Sequence, residues 1–345
     1  MSSSTVEKKP AISISSEALG LRILGLELTR GLCRLDQPCP DKRNIKGLYT
    51  FPAKRSEFEK TRIMTLPPLL TGQVCAITGG LTGIGRAIAI TFLSHGAKVA
   101  INYLASHNKD EETLLSSLRT EAFDAIKARS GNNSTTSLRS PDEVPLLTID
   151  GDISQPEAGQ ILVRQTVERF GRLDTFISNA GICRFEEFLE ISPESWQRHL
   201  NTNLSGAFYA VQAAAQQMTR QTPQGGSIIG ISSISALVGG AQQCHYTPTK
   251  AGILSLMQST ATALGKYNIR CNALLPGTIR TQLNDEDLAE GSEKKKYMEG
   301  RIPLGRLGKP EDMAGPAVFL ACGELSSYVT GATILVDGGA YVNFQ

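Results

Sequence analysis

The chain has 345 residues, 41% of them hydrophobic and 20% charged, with a net charge of +2. That balance suits one large globular domain or two small ones and gives no argument for a nucleic-acid or membrane-surface partner. Seven scattered cysteines lack C-x-x-C or metal-ligand spacing, no apolar run reaches a membrane span, and Met1-Ser2-Ser3-Ser4 leads into no signal peptide, so a reducing, cytoplasmic setting without metal is expected.

Residues 1–63 differ from the rest, with 12 Lys/Arg against 7 Asp/Glu, while the remaining 282 residues carry 23 basic and 26 acidic groups. The extension reads as a poorly ordered tail, or as translated upstream sequence before Met64, with a targeting or docking arm as the functional alternative. Its acidic residues argue against a transit peptide. Residues 64–345 read as one catalytic domain.

From residue 73 apolar strands alternate with helical stretches, which predicts an α/β fold: a doubly wound parallel sheet of seven strands with helices on both faces. Strands are expected at Val74–Ile77, Lys98–Tyr103, Leu146–Ile149, Leu173–Ser178, Ser227–Ile231, Arg270–Leu274 and Ala332–Val336. Helices are expected over Arg86–His95, 108–129, 156–169, 193–220 as one long element, Tyr246–Lys266 and 310–322. Ser130–Pro145 reads as a surface loop, and 284–300 as charged and mobile.

After the first strand comes Thr78-Gly79-Gly80-Leu81-Thr82-Gly83-Ile84-Gly85, then a helix. A dinucleotide needs this arrangement, because glycines admit the pyrophosphate to the backbone and the helix start offers it free N–H groups. An acidic residue about 20 positions on would select NAD. Here the second strand ends in Asn102-Tyr103-Leu104, followed by Ser106, His107, Asn108 and Lys109. With no carboxylate in that stretch, NADP is expected to be accepted alongside NAD.

In His245-Tyr246-Thr247-Pro248-Thr249-Lys250, a phenol and an ammonium stand one helical turn apart. Pro248 suits a first turn, so Tyr246 belongs at the helix entrance, and Lys250 is expected to lower its pKa into a useful range. His245 reads equally well as a pocket or a surface residue. Cys183 and Cys244 read as small pocket or core residues, since no partner base is evident.

Together with Asp152, Asn179-Ala180-Gly181, Asn203, Ser233 and Pro276-Gly277, these motifs resemble the short-chain dehydrogenase/reductase family over residues 71–342. One departure is Ser178, where the family often has a second Asn. The resemblance implies Tyr246 as acid/base, Ser233 as hydrogen-bond donor to the substrate oxygen and Lys250 as ribose ligand. Asn203 would extend the proton relay through water. It implies cofactor contacts at Gly79, Thr82, Gly83, Ile84, Gly85, Asn102, Tyr103, Asp152, Ile153, Asn179, Gly181, Pro276, Gly277, Thr278, Ile279 and Thr281.

The substrate side is expected around Cys183, Arg184, Phe185, Ser235, Gln243, His245, Thr278, Ile279 and Arg280, with Arg184, Ser233, Ser235, Tyr246 and Thr278 touching substrate. This polar lining favours a polyhydroxylated ligand over a steroid or acyl chain. Two runs, from GSIIGISS to LLPGTI and KKYMEGRIPLGRLGKPEDMAGPA, resemble members of the family that oxidise a sugar. They imply oxidation of the anomeric hydroxyl of an aldose, L-rhamnose foremost, to the 1,4-lactone with NAD(P). A 3-oxoacyl carrier-protein reductase and a non-catalytic NAD(P) sensor are the alternatives. The family resemblance also implies a homotetramer.

Overall fold

The computed structural model describes residues 67–105, 109–130, 138–282, 284 and 288–343. The 1–63 extension, its boundary at Met64, residues 106–108 and the Lys109 side chain lie outside the described residues. Seven strands are β1 (Val74–Thr78), β2 (Lys98–Tyr103), β3 (Leu146–Asp150), β4 (Thr175–Ser178), β5 (Gly226–Ile231), β6 (Ile269–Pro276) and β7 (Thr333–Val336). They form one sheet in the order β3-β2-β1-β4-β5-β6-β7, with every pairing parallel.

Helices cover both faces, so the central strands are apolar throughout. Successive side chains of a strand point to opposite faces. Cys75, Ile77, Val99 and Ile101 therefore pack with α1 (Gly83–Ser94), α2 (Lys109–Ser130) and α8 (Pro310–Ala321), through Ile88, Phe92, Leu118 and Met313. Ala76, Ala100, Phe176 and Ile228 pack on the other side with α3 (Pro156–Phe170), α5 (Gly206–Arg220) and α6 (Thr247–Leu264). Truncating a ring as buried as Phe92 or Phe176 costs about 3–5 kcal/mol. Gly159 keeps α3 and α5 close, since a Cβ there would stand 2.6 Å from Ala210 Cα.

The structure departs from the sequence expectation in three places. The long helix over 193–220 is α4 (Pro193–His199), a π-helical segment (Leu200–Ser205) and then α5. Ser130–Pro145 contains a 3₁₀ turn at Pro141–Glu143, and 284–300 contains α7 (Glu293–Arg301), capped by Ser292 Oγ accepting from Lys295 N at 3.2 Å. A dense run of charges conceals a helix of this kind, because α7 buries no residue fully. The chain ends beyond a short helix, α9 (Gly323–Ser326), and β7.

Winding runs one way from β1 to β3 and the other way from β4 to β7. The crevice at the carboxyl ends of β1 and β4 is the place where such a sheet binds ligands.

Candidate active site

The loop after β1 is built for close approach. Gly79 has φ +64°, and a Cβ on Gly85 would collide with the Gly79 carbonyl oxygen and stand 2.6 Å from the Asn179 amide nitrogen. That amide donates to Thr78 O at 3.0 Å and Gly79 O at 2.9 Å. Thr78 Oγ1 in turn accepts from the N–H groups of Asn179 and Ala180 at 2.9 and 3.0 Å. The loop after β4 thus clamps the glycine turn, so the Asn179 amide is spent on backbone. The first turn of α1 holds no acidic residue and no side-chain cap, and Gly83 and Ile84 face a cavity. Free N–H groups of this kind suit a pyrophosphate.

That cavity measures about 1390 Å³. It exceeds the usual range for a single drug-sized ligand, roughly 300–1,000 Å³. Room for two ligands, a dinucleotide and a small substrate, follows. Of the residues expected to touch cofactor, every one lines the cavity except Gly85, which supports the loop from behind.

At the end of β2, Asn102 is buried and donates to Gly151 O at 2.8 Å, which leaves Tyr103 to face the cavity. Burial pushes the Tyr103 phenol up, and the hydrogen bond to Glu111 and the charges of Glu111 and Asp150 push the same way. Asp150 pairs with Tyr103 in the sheet register. Two carboxylates therefore act on Tyr103, although neither lines the cavity itself. Sequence reasoning missed Glu111 because it arrives from α2, not from the strand itself.

Tyr246 is the N-cap residue of α6, and Lys250 lies one turn in. Lys250 is buried, its Nζ donates to Ile231 O at 3.0 Å, and its carbonyl accepts from Ser232 Oγ at 2.7 Å. Ser233 Oγ accepts from Ser235 N at 3.0 Å and hydrogen-bonds the Tyr246 phenol. The expectation that Lys250 lowers the phenol needs correction. Burial pushes the Tyr246 phenol far above its ordinary value of 10.0, with the Cys183 thiol adding to the rise and the Ser233 bond opposing it. Burial also pulls Lys250 from 10.5 down to about 8. Both groups border the same cavity, and Lys250 is not among the groups that shift the phenol.

Asn203 does not line the cavity. It is fully buried in the π segment, where Oδ1 accepts from Ile182 N at 2.8 Å and Nδ2 donates to Ile182 O at 2.9 Å and Thr249 Oγ1 at 3.2 Å. Thr249 Oγ1 donates to the Tyr246 carbonyl at 2.6 Å. In this geometry Asn203 ties the loop after β4 to the first turn of α6.

On the substrate side, Cys183, Phe185, Ser233, Ser235, Gln243, Tyr246 and Thr278 line the cavity, and Gln243 Nε2 donates to Cys183 Sγ at 3.3 Å. Arg184 and Arg280 do not. Both are exposed, and Arg280 meets Glu290 at 3.6 Å. The sequence did not reveal that α4 and α7 supply walls through Gln197, Arg198, Lys294 and Arg301. Lys294 Nζ sits 4.6 Å above the Phe185 ring. Among the described residues no metal-binding cluster is found, no helix is long and apolar enough to cross a membrane, and the five described cysteines are free.

The family described as enoyl-(acyl carrier protein) reductase matches residues 122–341. An L-rhamnose-1-dehydrogenase from Scheffersomyces stipitis is 60% identical over 277 residues, spanning 80% of this chain and 99% of that protein. An L-rhamnose 1-dehydrogenase (NAD(P)(+)) from a Sphingomonas species is 51% identical over 277 residues, spanning 80% and 99%. Among solved structures, a short-chain type dehydrogenase/reductase from Mycobacterium marinum has a TM-score of 0.67 at 33% identity, covering 79% of this chain and 96% of its own.

Proposed function

The chain belongs to the short-chain dehydrogenase/reductase family, and on that premise we infer that it is an NAD(P)-dependent dehydrogenase of L-rhamnose. It oxidises the anomeric hydroxyl to the 1,4-lactone. The observation that carries this reading is the similarity to L-rhamnose 1-dehydrogenases at 60% and 51% identity over nearly their whole length. The polar substrate wall, with Ser235, Gln243 and Gln197, agrees with a polyhydroxylated ligand better than with an acyl chain.

A nicotinamide held in this cavity would supply the hydride acceptor for C1. The residues of the chain do the rest. The α1 N-terminus and the glycine turn would hold the pyrophosphate, Tyr103 and Asp152 would border the adenosine end, and Thr278, Ile279 and Thr281 the nicotinamide end. Lys250 would anchor the ribose. Tyr246 takes the hydroxyl proton, and Ser233 holds the same oxygen as charge develops on it, an effect worth about 2–4 kcal/mol in comparable sites. Asn203 keeps Ile182 and the α6 entrance in place around the reacting carbon.

Further parts of the proposal concern assembly and setting. We take residues 64–345 as the catalytic domain, since a fifth of this chain has no counterpart in the Scheffersomyces relative. A homotetramer packed through α5 and α6 is supported by the half-exposed Phe208 on α5. A cytoplasmic location is supported by the free cysteines.

Initial rates of NADH and NADPH formation with L-rhamnose, L-lyxose, L-mannose, D-glucose and L-fucose test the activity, using chains that begin at Met1 and at Met64. L-Rhamnose is expected to give the highest kcat/KM in both. No sugar oxidation, together with NADPH-dependent reduction of an acetoacetyl thioester, would replace this reading with the acyl reductase.

A further inference from the structure

Beside the proton-transfer groups lie two wholly buried histidines, His199 and His245. Their ring centroids are 3.8 Å apart, with planes tilted by 53°. His199 Nδ1 is 2.8 Å from Ser195 O, so that nitrogen carries the proton and Nε2 is left as an acceptor. His199 Nε2 and both nitrogens of His245 are buried without a hydrogen-bond partner among the described residues. Unpartnered imidazoles of this kind weaken a fold, so stability does not account for them.

The pair lies where three segments meet. His245 directly precedes Tyr246. His199 ends α4, four residues before Asn203. Glu186, in the loop after β4, has Oε2 3.8 Å from His245 Nε2. Its Oε1 accepts from Ser195 Oγ at 3.0 Å, and its N–H donates to Gln242 O at 3.0 Å. Each of the three segments also supplies cavity wall, through Gln197, Gln243 and Phe185.

We propose that His199 and His245 are positioning residues whose ring-on-ring contact sets where Tyr246 stands against the sugar side of the cavity. The inference rests on Tyr246 being the acid/base. The titratable groups facing His245 are His199 from α4 and Glu186 from the loop after β4. Burial and His199 hold His245 below its ordinary value while Glu186 opposes them, which favours the neutral form of the His245 ring. Since the contact between the rings is not a hydrogen bond, a flat apolar ring can stand in for the His245 imidazole, while at His199 it also gives up the bond to Ser195 O.

The test compares His245→Ala with His245→Phe in the full chain, measuring kcat, sugar KM and dinucleotide Kd, with active molecules counted by dinucleotide binding. His245→Ala is expected to lose kcat by about 10- to 100-fold with an unchanged dinucleotide Kd, as a misplaced reacting group does. His245→Phe should recover most of that loss. His199→Ala and His199→Phe should repeat the pattern, and they carry the test if His245→Ala does not fold. Wild-type kcat in the alanine variants, or phenylalanine variants no better than alanine ones, would overturn the inference. Full turnover by Tyr246→Phe would instead remove the acid/base assignment on which it rests.

Discussion

The Lys250 ammonium stands 5.5 Å from the centroid of the Tyr246 ring, and it directs its hydrogen bond to the Ile231 carbonyl. The two groups share one wall of the cavity, and burial displaces both toward their neutral forms.

Sugar oxidation consumes a phenolate. Since burial raises the Tyr246 phenol, kcat for L-rhamnose oxidation should climb steadily from neutral into alkaline pH. Tyr246→Phe should lower kcat by about 10²–10⁴-fold, the usual contribution of a general base, without changing dinucleotide affinity. Stopped-flow rates from pH 6 to 10 and dinucleotide titrations check both statements.

Lys250 titrates near 8 in the folded chain and at 10.5 when exposed. Between those values the unfolded chain binds more protons, so this group makes stability rise with pH across that window. Below pH 8 its burial is a full cost. Lys250→Met should therefore be more stable than wild type at pH 7, by roughly 1–3 kcal/mol, with the difference gone by about pH 10.5. Urea unfolding at three pH values measures it, and the variant should lack activity.

At the adenosine end, Glu111 and Asp150 surround the Tyr103 phenol with negative charge. A 2′-phosphate entering there meets repulsion, so wild type should bind NAD⁺ more tightly than NADP⁺. Glu111→Gln should raise NADP⁺ affinity by about five- to tenfold, the order of one screened charge in a partly hydrated site, and leave NAD⁺ nearly unchanged. Isothermal titration with each dinucleotide reads the ratio directly.

Asp312 caps α8, its Oδ2 accepting from Lys309 N at 2.7 Å, and it holds Arg306 through bonds of 2.6 and 2.9 Å. Those bonds pull its carboxyl from 3.8 to about 2. The stability this provides is complete above pH 3.8 and is lost as pH falls toward 2. Asp312→Ala should cost about 1 kcal/mol at pH 7 and leave kcat unchanged, which thermal melts and rate assays will show.

The sequence by itself determined the sheet, the glycine turn and the order of the chemical residues, because each rests on local patterning. Short continuous apolar runs make strands covered on both faces, glycines permit a positive φ at Gly79, and a Tyr and Lys one turn apart share a helix face. The Asn203 relay was implied by the family resemblance and the Arg184 contact by its place beside the catalytic groups, neither by local patterning. Only the tertiary structure decided that Asn203 spends its amide on Ile182 and Thr249, that Arg184 is exposed, and that α7 closes one wall. It also brought Glu111 to Tyr103 and His199 to His245, partners that are 8 and 46 positions apart in the chain. The shifts of Tyr246 and Lys250 depended on it as well, because desolvation is a property of everything packed around a group and no spacing along the chain encodes it.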